Sequence, residues 1–106
     1  MRYAISLTAA ALSLTVAGIS LAADGAAIFK QNCASCHGAT GHADTPAGKS
    51  LKVPALAGDA KVAAMSDADA VAAIKGNAKH AAVLKKLSDD DVAAVATYVK
   101  GLAAAK

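Results

Sequence analysis

The chain has 106 residues, a formal net charge of +3 and only three aromatic side chains, Tyr3, Phe29 and Tyr98. A length of this order makes one domain the default, and without a dense basic run or aromatics interleaved with basic residues nothing supports nucleic-acid binding. An Ala-rich chain with so little large apolar bulk cannot fill a core from its own side chains and calls for a staple, such as a metal or a prosthetic group.

Residues 1–23 differ from the rest. Arg2 is their only charge, and an apolar run diluted by Ala, Ser and Thr leads to Ser20-Leu21-Ala22-Ala23. This is the pattern of a secretory signal peptide, with a cut after Ala22 or Ala23. A retained membrane anchor is the competing reading, because the uncharged run is nearly long enough to span a bilayer. Cleavage leaves a single domain, residues 24–106, that is exported to the periplasm and keeps no membrane span. It also removes Arg2, leaving ten basic against eight acidic side chains and a formal charge of +2.

Residues 24–36 read as a helix with Asp24 as its N-cap. Gly25, Ile28, Phe29, Asn32, Cys33 and Cys36 recur at helical spacing and define the inward face. The helix closes on Cys33-Ala34-Ser35-Cys36-His37, which contains the only two cysteines. Two thiols three positions apart, followed at once by a histidine, form a covalent c-type haem attachment motif. On a short helical turn both thiols reach the two vinyl groups of one porphyrin and form thioethers. His37 then comes up beneath the iron as the proximal ligand. The expected cofactor is haem c, with its iron.

Residues 38–53 lose periodicity and are punctuated by Gly38, Gly41, Pro46 and Gly48, so a loop is expected, with His42 in it. Val53-Pro54-Ala55-Leu56-Ala57-Gly58 reads as a short extended piece ending in a turn. Ser66, with Asp69 three residues on, marks the next helix start, and Met65 before it is placed to act as a hydrophobic staple. Ala70, Val71 and Ile74 give that helix its buried stripe, and Gly76-Asn77 ends it. Residues 77–87 read as a second loop carrying Lys79, His80, Lys85 and Lys86.

Ser88-Asp89-Asp90-Asp91 opens the last helix with a second capping pattern. Its apolar stripe is Val92, Val95, Ala96, Val99 and Leu102, with Tyr98 on the shoulder. Residues 103–106 are expected to fray. The three acidic residues read as a helix-dipole cluster rather than as catalytic carboxylates. No strand signal and no internal repeat occur in residues 24–106, so the fold class is all-α.

Taken together, residues 24–106 resemble a class I cytochrome c, a small single-haem electron carrier. Gly25 and Phe29 match that family's first helix, and Val95 and Tyr98 match its last. The resemblance implies three main helices and loops wrapped round one covalent haem. It also implies N- and C-terminal helices that cross through a glycine–aromatic contact. Pro54-Ala55-Leu56-Ala57-Gly58 resembles the family's Pro-x-Leu-x-Gly segment. The resemblance therefore implies that the Pro54 carbonyl accepts a hydrogen bond from Nδ1 of His37 and fixes its orientation. No enzymatic role is expected, and a monomer is.

The chain departs from that pattern on the far side of the iron. The family's distal ligand is a methionine in a Met-Pro pair ahead of the Leu-Ser entry to the last helix. Here the seventh residue before Leu87 is His80, followed by Ala81. In one reading His80 replaces the methionine and the iron is bis-histidine, with a lowered potential. In the other Met65, the only methionine after the leader, is recruited and His80 is an exposed histidine. His42 lies too close to His37 in sequence to reach the opposite face easily, and is read as solvated.

Other uses of the cysteines fare poorly. A thioredoxin-like dithiol needs a βαβ setting with the motif opening a helix. A structural zinc site lacks the paired CxxC spacing. A haem protein with an open distal site, sensing a small ligand or reacting with peroxide, is the serious alternative to an electron carrier. For a carrier, Lys79, Lys85 and Lys86, with Lys49 and Lys52, propose themselves as a rim that docks an acidic redox partner.

Overall fold

The computed structural model describes residues 23–105, all of whose regular structure is helical. The expected leader, residues 1–23, lies outside the described residues except for Ala23. Seven α-helices follow in order: α1 (Gly25–Asn32), α2 (Ala34–His37), α3 (Pro46–Ser50), α4 (Ala60–Ala64), α5 (Asp67–Gly76), α6 (Ala81–Leu84) and α7 (Asp89–Ala104). A 3-10 turn (Ala78–His80) links α5 to α6. The three longest helices, α1, α5 and α7, are the three that periodicity locates. No helix among the described residues is long and apolar enough to cross a membrane.

Each long helix starts where its cap dictates. Asp24 accepts from the backbone N–H of Ala26 and Ala27 at the head of α1. Ser66 Oγ accepts from Asp69 N at 3.1 Å and starts α5. At α7 the capping is reciprocal: Ser88 Oγ accepts from Asp91 N at 3.1 Å, and Asp91 accepts from Ser88 N at 3.0 Å. These bonds satisfy N–H groups that have no intrahelical partner.

α7 is the element on which the others rest. It packs against α1, α4 and α5, and contributes Val92, Val95, Ala96 and Ala103 to the core. Its crossing with α1 is close because Gly25 has no side chain: a Cβ there would overlap the Ala94 carbonyl. One turn further along α1, Phe29 is 1% exposed. Its ring stands 5.3 Å from that of Tyr98, tilted by 53°, a geometry worth about 0.5–1.5 kcal/mol beyond the area it buries. The expected glycine–aromatic crossing is present. α5 runs antiparallel to α7, joined by Lys75–Asp89 and Lys100–Asp67 ion pairs, each at 2.8 Å. The Lys75 hydrogen bond and charge hold the Asp89 carboxyl below the usual carboxylate range. Both pairs are too solvated to add much stability, and they serve to mark the register of the two helices.

Four expectations need correction. The helix read over residues 24–36 breaks at Cys33, whose φ of −119° makes it the end of α1 and the start of α2. The loop read over 38–53 contains α3, which Thr45 caps and Pro46 opens; a capping Thr followed by Pro is a helix start. The loop read over 77–87 is helical from Ala78 to Leu84. The end of α7 does not fray at 103, because Ala103 is 3% exposed and packed into the core. A further helix, α4, forms behind the Asp59 cap, where no start signal was read.

Ala is a better helix former than Gly by about 1 kcal/mol, so Gly25→Ala would strengthen α1 in isolation. In the folded protein the overlap with Ala94 reverses the sign, and a net loss of about 1–3 kcal/mol is expected. Thermal unfolding of the haem-loaded protein measures it. A stabilised variant would mean that the crossing has room to spare.

Candidate functional site

The motif cysteines and His37 sit on their own helical turn. Cys33 N donates to Phe29 O at 2.8 Å and completes α1. Cys36 N and His37 N then donate back to Cys33 O at 3.2 and 2.9 Å. This places Cys33, Cys36 and His37 along one short spiral that opens onto a cavity of about 390 Å³, a size in the range of small-molecule pockets. Its walls are mostly apolar and include Phe29 from α1, Val92, Val95 and Val99 from α7, Ile74 from α5 and Val83 from α6. Both thiols are free and partly exposed.

A support for this turn comes from α3. Thr45 Oγ1 donates to the Cys36 carbonyl at 3.1 Å and accepts from Gly48 N at 2.9 Å. Gly48 approaches so closely that a Cβ would overlap that same carbonyl. Thr45 was not singled out from sequence, and Gly48 was read only as a loop glycine. The Thr45-Pro46 pair was the available signal for the cap, but its contact with the motif is tertiary.

His37 faces the cavity with a half-buried ring, 6.3 Å from Phe29 and 6.2 Å from His80 between centroids. Burial, and then the neighbouring His80, lower the His37 pKa from its ordinary value. Both effects favour the neutral imidazole, the form in which its nitrogen binds a metal. Its Nδ1 is buried and has no hydrogen-bond partner. Pro54 lines the same cavity, but the hydrogen bond expected from Nδ1 to its carbonyl is not formed. Burial and then the neighbouring Cys36 raise the Cys33 pKa. A thiol so held is a poor nucleophile, which argues against a dithiol redox centre.

The remaining histidines part company. His80 ends the 3-10 turn and reaches the cavity wall, and its Nδ1 lies 2.6 Å from the Ile74 carbonyl. A carbonyl only accepts, so Nδ1 donates, and in the neutral ring this tautomer leaves the lone pair on Nε2. His42 is exposed and outside the cavity, with Nδ1 bonded to Thr40 Oγ1 at 2.7 Å, as its solvated reading requires. Met65 ends α4 and shares the cavity wall with Ala70. Of the five lysines named above, Lys79 lines the cavity and donates to Leu51 O at 3.1 Å. Lys49, Lys52, Lys85 and Lys86 are exposed and lie outside its lining. Among the described residues no group of three or more His, Cys, Asp or Glu side chains could hold a bare metal ion.

A covalently tethered haem fits what is present: two free thiols on one helical turn, a neutral imidazole beside them, and an apolar cavity where the small side chains leave the core unfilled. The fold and this site define a small c-type cytochrome whose cofactor is haem c. The family model described as cytochrome C oxidase, cbb3-type, subunit III, matches residues 20–99, and the chain belongs to that family. No curated protein and no solved structure matches the chain. Domains of this kind carry out haem-based electron transfer with redox partners and are generally exported or periplasmic.

Replacing Cys33 and Cys36 together by alanine is expected to make the haem extractable with acidified organic solvent, while the parent protein retains it. Retention by the double variant would show that the tethers lie elsewhere.

Proposed function

We propose that the protein is a periplasmic carrier of single electrons, with His37 and His80 as the two axial ligands of its haem iron and a potential below that of Met-ligated relatives. The observation that carries this reading is the His37–His80 pair. Two imidazoles on opposite sides of one metal, with bonds of about 2 Å each, hold their ring centres about 6 Å apart. The two rings stand at 6.2 Å. The Ile74 contact also selects the neutral tautomer of His80 whose lone pair lies on Nε2, whereas Met65 has an alternative role as an apolar wall residue.

Bound haem c supplies a one-electron couple at its iron. The chain does the rest. Cys33 and Cys36 tether the group, His37 is held neutral for coordination, and the apolar walls keep water away. A second imidazole in place of a thioether favours the oxidised iron and lowers the potential. Residues 1–23 are read as a cleaved export signal and the mature domain as a monomer. Lys79, at the cavity mouth, with Lys85 and Lys86, would steer an acidic partner to the haem edge.

His80→Met is expected to raise the midpoint potential and to introduce the methionine–iron charge-transfer band of the oxidised protein. An unchanged potential, or that band in the parent protein, would remove His80 from the iron. Rapid stoichiometric carbon monoxide binding by the reduced parent would instead favour an open or labile site for small ligands. Reversing charge at Lys79 and Lys85 should slow electron transfer to an acidic partner and flatten its salt dependence. If both stay as they were, those lysines are ordinary solvated surface.

A further inference from the structure

The hydrogen bond between His80 and Ile74 goes beyond the identity of the ligand. Ile74 lies in the last turn of α5, two residues before its end at Gly76. Its carbonyl is therefore among the last four of the helix, which lack an N–H donor from the following turn. Asn77 stops the helix with φ −89° and ψ 118°. Its side chain then accepts from Lys79 N at 2.9 Å and starts the 3-10 turn. His80 N donates back to Asn77 O at 2.9 Å and closes that turn. The chain has doubled back, and the His80 ring returns to the helix end it has just left, with Nδ1 2.6 Å from Ile74 O.

We propose that the C-terminal turn of α5, through the Ile74 carbonyl, is the positioning element of the distal ligand: it fixes the His80 tautomer, aims Nε2 into the cavity and strengthens His80 as an electron donor. This rests on the reading of His80 as an iron ligand. Three effects act together. The carbonyl demands a proton on Nδ1, so Nε2 is free to bind. The bond restrains rotation of the ring. Finally, a hydrogen bond given by the remote nitrogen raises the basicity of the coordinating one, and the negative end of the α5 dipole acts in the same sense. His37 Nδ1 has no hydrogen-bond partner, so the contact with Ile74 is the ring-to-backbone hydrogen bond found between these two histidines and the chain.

A backbone carbonyl cannot be removed by mutation, but the donor can be blocked. Nδ-methylhistidine incorporated at position 80 keeps Nε2 and abolishes the Nδ1 proton. In the haem-loaded variant His80 is expected to be displaced by cyanide about 10- to 100-fold more readily, and the midpoint potential is expected to rise. An unchanged displacement and an unchanged potential overturn the proposal. Because the methyl group also crowds Ile74, a second measurement uses the unmodified oxidised protein. Proton NMR should show the His80 Nδ1–H protected from solvent exchange, and rapid exchange overturns the proposal independently. The same spectrum separates the two levels of inference. Without two strongly shifted imidazoles, both the His80 ligation and this proposal fail. With both imidazoles present but the Nδ1 proton unprotected, only the role of Ile74 fails.

Discussion

The close approach of α1 to α7 at Gly25 is the constraint from which the rest of the structure follows. A side chain there would overlap Ala94, and the two helices could not come close enough for Phe29 to meet Tyr98. Phe29 is one of the largest fully buried side chains, and its ring also stands behind His37. The crossing therefore fixes more than a helix pair. It also sets α1 against α7, and the turn bearing Cys33, Cys36 and His37 opens onto a cavity that Val92, Val95 and Val99 of α7 help to line.

The rest of the chain is poor in large side chains and correspondingly rich in local hydrogen bonding. Four of the seven helices among the described residues have five residues or fewer. Helices that short do not persist on their own propensity. Side-chain caps compensate: Thr45 for α3, Asp59 for α4 and Asn77 for the 3-10 turn. Thr45 serves twice, since its hydroxyl also holds the Cys36 carbonyl. The shell around the cavity is thus built from short capped segments, and its apolar interior is left for the cofactor to fill.

This division of labour suits an electron carrier. The cavity-facing part of the site offers weakly polar groups: a histidine whose charge is disfavoured by burial, two free thiols, and aliphatic walls. Charge lies at the exposed Lys79 and on the Lys75–Asp89 and Lys100–Asp67 pairs. A site without internal charges to rearrange has little to reorganise when one electron enters or leaves. The proposed hydrogen bond from His80 to the Ile74 carbonyl would then tune the potential.

Much of this was legible in residue spacing. The CxxCH string named the cofactor because thiol spacing and an adjacent imidazole are demands of covalent geometry. The crossing came from the resemblance that Gly25, Phe29 and Tyr98 carry, and it holds because a Cβ on Gly25 would overlap Ala94. Ser66 and Ser88 marked their helix starts because capping is local chemistry. The short helices in residues 38–64 and 77–84 were less visible, since they carry too few residues for a period to register. Thr45 against Cys36, Ile74 against His80, and the unpartnered Nδ1 of His37 were not legible at all. Each of these joins, or fails to join, a side chain to a backbone group or neighbour positioned by the surrounding fold. Sequence by itself determined which residues could serve the haem, because that follows from side-chain chemistry and spacing. Only the tertiary structure decided how each ring is held, because hydrogen-bond partners depend on where the chain doubles back.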